Sequence, residues 1–94
     1  MDQEQDLLKE LELGEGAKSL LIHPLLQKLL KDLRVQTISS WRRTKMSEAQ
    51  ARENAYLLML ALDTLENHIN KLVDTGELAA EKLKRGRKPK PKGA

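Results

Sequence analysis

The chain has no cysteine and no phenylalanine, and Trp41 and Tyr56 are its only aromatic residues. Without cysteine there is no disulfide framework, no zinc ribbon and no thiol chemistry. Without a set of rings, a core has to be built from Leu, Ile, Val, Ala and Met. Proline is scarce as well: Pro24 stands alone in the body, and Pro89 and Pro91 sit near the C-terminus. Long hydrophobic runs are missing too. The longest, Ala55 to Leu62, is far short of the roughly 20 apolar residues that a membrane-spanning helix needs, so no membrane association is expected. The N-terminus opens on Asp2, Glu4 and Asp6 instead of a basic segment followed by an apolar one, so no signal peptide is expected and the compartment is read as cytoplasmic.

Charge, by contrast, is plentiful. Asp, Glu, Lys and Arg make up 33% of the 94 residues, against 39% hydrophobic. The net charge of +3 conceals a strong asymmetry. Six cations fall in "KRGRKPKPK", residues 84–92, so the rest of the chain is net negative. Residues 1–16 carry six acids against Lys9 alone. Basicity therefore belongs to one end and not to a fold that binds nucleic acid over its whole surface.

Periodicity predicts an all-α chain. Leu7, Leu8 and Leu11 make a narrow stripe on a short first helix, with Gly14 and Gly16 read as its end. Pro24 in "HPLL" suits a first helical turn. From there Leu25, Leu26, Leu29, Leu30, Leu33, Ile38 and Trp41 follow helical spacing to about Arg43. Val35, Thr37 and Ser39 weaken its last turns. Thr44 to Ser47 suffice for a turn between antiparallel helices. Ser47 and Gln50 read as a capping box opening a third helix at Glu48. That helix is expected to stop at Gly76, with a short fourth helix over residues 77–83. The resulting division is an acidic segment over 1–16, a helical hairpin over 17–83 and a disordered basic tail over 84–94.

Leu58, Leu62, Leu65, Ile69 and Leu72 are spaced 4, 3, 4, 3 on the third helix, a heptad-like seam for the core or for an oligomer. Tyr56 to Leu62 is apolar nearly all round, more than one partner helix covers. With so small a core, a homo-oligomer is expected. Trp41, Arg42, Arg43 and Lys45 cluster at the hairpin turn. They suit either a secondary contact through ring and cations or, more simply, a capped helix end. His23 and His68 lie far apart and match no metal-ligating or acid–base spacing, and no cofactor or catalytic residue is expected.

In the tail, Lys84, Arg85, Gly86, Arg87, Lys88, Lys90 and Lys92 are the nucleic-acid-binding candidates. Arg85-Gly86-Arg87 between lysines resembles an AT-hook, which implies arginines inserted into a narrow minor groove. It departs from that pattern where Lys88 replaces the core proline. The plainer reading is sequence-independent contact with phosphates. Over about residues 20–80, "HPLL", "SSWRRT", "EAQARENAY" and "NKLVDTGELA" resemble small helical proteins encoded by tailed phages and prophages. That resemblance implies virion assembly or DNA packaging, contacts with phage structural proteins, and a location in the host cytoplasm or the virion. The expected function is a non-enzymatic accessory or structural protein that makes protein contacts through its hairpin and nonspecific DNA contacts through its tail. The alternatives are a small regulatory or nucleoid-type DNA-binding protein, and an inhibitor or adaptor.

Overall fold

A computed structural model describes residues 2–87, which are all-α. Helix α1 spans Asp2–Leu21, α2 spans Pro24–Arg43 and α3 spans Ala49–Arg87. Pro24 separates the first two. Its ring would collide with the Leu20 carbonyl of a continuing helix, and it pushes the preceding residue out of the helical range. His23 accordingly is extended, with φ −73° and ψ 120°. Side chains close the break: His23 Nδ1 accepts from the Leu25 N–H at 3.1 Å, and Gln27 Nε2 donates to the Leu21 carbonyl at 2.6 Å.

Residues 44–48 join α2 to α3. The Thr44 N–H and hydroxyl both donate to the Trp41 carbonyl, satisfying one of the acceptors left over at a helix end. The expected capping box does not form. Helix α3 starts at Ala49, and Glu48, not Gln50, reaches back, its carboxylate accepting from the Lys45 N–H at 2.6 Å. Gln50 instead donates to Asn54 one turn on.

Helices α1 and α2 follow one another along α3, each antiparallel to it and barely touching each other. Helix α1 covers the C-terminal half of α3 and α2 the N-terminal half. The 39 residues of α3 give it a length of about 58 Å at 1.5 Å per residue. The molecule is a rod of 74 × 24 × 21 Å. Its radius of gyration is 20.4 Å, against about 12 Å for a compact chain of this length.

Two expected helix ends turn out to be crossing points. Helix α1 runs through Gly14 and Gly16 to Leu21, and α3 runs through Gly76 to Arg87, absorbing the expected fourth helix. Gly14 and Gly76 face each other where α1 and α3 meet. A Cβ on Gly14 would lie 2.7 Å from Gly76 Cα and 2.9 Å from the Leu72 carbonyl oxygen. A Cβ on Gly76 would lie 2.7 Å from Gly14 Cα. A glycine inside a helix costs only about 1 kcal/mol relative to alanine, and here its missing side chain is the space that the other backbone fills. Ala17 and Ala79, the latter 1% exposed, continue the tight contact, and Leu83 closes it.

The buried line on α3 is Ala55, Leu62, Ile69, Gly76 and Leu83, one residue in every seven. No large side chain among the described residues is fully enclosed. The accessible surface is 7768 Å², where a compact monomer of 10.7 kDa would expose about 5,500 Å².

Candidate functional site

The seam on α3 is divided by its neighbours. Leu62 and Ile69 are buried and Leu72 is half-buried, but Leu58 and Leu65 remain 49% and 48% exposed. The reason is geometric. Among the described residues helix α2 is the only element beside the N-terminal half of α3, and it covers the line through Ala55 and Leu62. Leu58 and Leu65, three residues further on, fall on the flank of that contact. Leu58 borders a groove of about 400 Å³ between the two helices, formed on the α2 side by Leu33, Gln36, Thr37 and Ser40 and on the α3 side by Ala51, Asn54, Ala55 and Leu58. No charged side chain lines it. Leu29 and Leu25, one and two turns before Leu33 on the same face, are also exposed. The buried Thr37 hydroxyl donates to the Leu33 carbonyl at 2.7 Å, so the groove floor holds no unmet polar group. That bond is also why a β-branched hydroxyl residue sits comfortably inside α2, which runs unbroken past Ser39.

The opposite flank is charged. Arg34 donates to Asp63 at 2.5 Å and to Glu66, tying α2 to α3 in one register. These two hydrogen bonds, Asp63 foremost, raise the Arg34 pKa above its already high ordinary value. Next to this fork lies a second hollow of about 340 Å³, with Leu26, Leu30, Val35 and Ile38 on its walls.

At the hairpin turn the structure gives Trp41 a cation that sequence reasoning missed. The Arg52 guanidinium stacks 4.8 Å from the ring centroid and donates to Thr44 Oγ1 at 3.0 Å. The signal was available, since in an antiparallel pair joined by residues 44–48, positions 41 and 52 stand at similar distances from the turn. Arg43 donates to Ser39, while Arg42 and Lys45 are exposed. Met46, at the tip, is 93% exposed.

Of the basic segment, Lys84, Arg85, Gly86 and Arg87 form the last turn of α3. Arg85 pairs with Glu81 one turn back at 3.1 Å. Lysine and arginine are good helix formers and suit a helix C-terminus, which explains the continuation past Leu83. Lys88, Lys90 and Lys92, with both tail prolines, lie outside the described residues. The antiparallel register about Gly14 and Gly76 places the acidic start of α1, with Glu4 and Asp6, beside this basic end. His23 serves as the cap of α2, and His68 is exposed on α3. Among the described residues no group of three or more His, Cys, Asp or Glu is placed to hold a metal ion, and no helix is long and apolar enough to cross a membrane. No family model matches the chain, and neither a curated protein nor a solved structure matches it.

Proposed function

We propose that the protein is a non-enzymatic accessory or structural component that works by protein contact along its helical rod and by sequence-independent nucleic-acid contact at its basic C-terminal end. One observation carries this reading: a two-helix-wide rod leaves Leu33 and Leu58 exposed on a groove without charge, and Leu25, Leu29 and Leu65 exposed beyond it. A contiguous apolar patch of that kind marks an interaction surface. The charged end lies beyond it, so the two contacts are spatially separate. The resemblance of "HPLL", "SSWRRT", "EAQARENAY" and "NKLVDTGELA" to small tailed-phage proteins favours a role in virion assembly or DNA packaging. The concentration of six cations in residues 84–92 supports the second reading, a small DNA-binding regulator.

Duplex titration of the full chain and of a chain ending at Leu83 tests the nucleic-acid half. With all six cations engaged, the slope of log affinity against log salt is about −5. The shortened chain, net negative, is expected to lose binding. Equal binding by the two chains would remove nucleic acid from the function and leave a protein-contact module.

A further inference from the structure

The groove between α2 and α3 carries its own complement. From its middle towards the turn, its borders are small or polar: Gln36 and Ser40 on α2, Ala51 and Asn54 on α3. Beyond Leu33 and Leu58, towards the centre of the rod, the exposed side chains are large: Leu29 and Leu25 on α2, Leu65 on α3. Leu33 and Leu58 stand level with each other at the midpoint. A face that is hollow at one end and raised at the other fits a copy of itself turned end over end. We infer that this face is the interface of an antiparallel homodimer, with the two-fold axis passing at the level of Leu33 and Leu58. The inference rests on the reading of the rod as a protein-contact element and names its partner.

A two-fold axis lying across the rod sets α2 on the partner's α2 and α3 on the partner's α3. Counting outwards from Leu58, Ala51 then meets the partner's Leu65, and Ala55 meets the partner's Ala61. Counting outwards from Leu33, Ser40 meets the turn of the partner's α2 that carries Leu25, and Thr37 meets the partner's Leu29. Away from the axis, Leu65 and Leu29 each meet a smaller side chain, Ala51 and Thr37, and on the axis Leu58 and Leu33 each meet their own copy. An axis along the rod would instead lay Leu25 against the partner's Leu65 and Ser40 against the partner's Ala51. That arrangement crowds one end and leaves a void at the other. The contact is isologous, as closed dimers require, and it brings no two like charges together in the groove.

Area points the same way. The whole chain exposes about 2,300 Å² more than a compact chain of its mass. A stable dimer removes about 800 Å² from each partner. The face from Leu25 to Ser40 is two helices wide and roughly 23 Å long, and adding a second such layer converts two helices into a four-helix bundle with a core that one copy lacks.

Because the chain has no cysteine, single introduced cysteines report the register without background. Under oxidation Leu58→Cys and Leu33→Cys are each expected to link to themselves across the axis. Ala51→Cys mixed with Leu65→Cys is expected to link as a pair, while neither does so alone. Leu57→Cys, on the outer side of α3, is expected not to link. Sedimentation of the unmodified chain is expected to give twice the monomer mass, and Ser40→Glu, an exposed change that leaves α2 intact, is expected to weaken the dimer at least tenfold. Linking of Leu33→Cys only with Leu58→Cys, or linking through Leu57→Cys, would overturn the axis or the face. A monomer, or a dimer indifferent to Ser40→Glu, would overturn the pairing. A monomer that still binds duplex through residues 84–94 would overturn the pairing alone, whereas loss of both would also remove the proposed role.

Discussion

Gly14 and Gly76 are the residues on which the rod's C-terminal half depends, and Gly16 gives the internal comparison. All three lie inside helices, so replacing any of them with alanine gains about 1 kcal/mol of helix propensity. Nothing lies within 4 Å of a Cβ on Gly16, so Gly16→Ala is expected to stabilise the protein by up to that amount, read as a higher thermal midpoint. At Gly14 and Gly76 the added methyl meets backbone, which cannot turn aside as a flexible side chain does. Gly14→Ala and Gly76→Ala are each expected to destabilise by about 1–3 kcal/mol, the usual cost of overpacking. Urea unfolding of the three variants checks the ordering, and equal effects at Gly14 and Gly16 would mean that the helices do not cross there. Arg34 offers a different test. Its pKa is raised, so its contribution is complete below its ordinary pKa and is lost only as pH climbs through the raised value. Arg34 titration therefore adds no pH dependence in the acid or neutral range. Salt, by contrast, screens its exposed fork with Asp63 and Glu66. Arg34→Gln is expected to lower the thermal midpoint more at low ionic strength than at high.

Helix α3 shows which parts of the architecture were legible as pattern. The start of α2 at Pro24, its end at Arg43 and the turn before α3 all followed from local chemistry: a proline that fits a first turn, and a short polar connection after a periodic run. The C-terminal half was not legible from local chemistry. Gly14 and Gly76 carry the composition of a helix end, and only their apposition, sixty-two residues apart, shows that they serve packing. One sequence signal did cross the glycine, namely the seven-residue spacing from Ala55 through Leu62, Ile69 and Gly76 to Leu83. The groove was half visible: the seam was correctly apolar, but which of its members face α2 depends on α2 being the only neighbour. Leu62 and Leu60 separate the two situations. Leu62→Ala is expected to cost about 2–5 kcal/mol, most of the stability of so small a domain. Leu60→Ala, on the exposed outer side, is expected to stay within about 0.5 kcal/mol. Chemical denaturation compares them directly.

The whole molecule joins an apolar face to an end where opposite charges meet. The antiparallel register brings the acidic start of α1 to the level of Lys84 and Arg85, so on the proposed function it competes with phosphates for the same cations. Glu4→Gln combined with Asp6→Asn is expected to tighten duplex binding modestly at low salt and to have no effect where salt already screens the pair. Anisotropy titrations at two ionic strengths measure this. The larger claim is that one copy cannot complete a core. No large side chain among the described residues is fully enclosed, and on the homodimer proposal folding of such a rod is coupled to assembly. Mass action then ties stability to concentration. A hundredfold rise in protein concentration adds about 2.7 kcal/mol to an obligate dimer and raises its midpoint by roughly 5–10 °C. Thermal unfolding followed by circular dichroism across that concentration range tests this most directly: a midpoint that climbs with concentration is the expected result, and a fully helical chain whose midpoint stays fixed would contradict it.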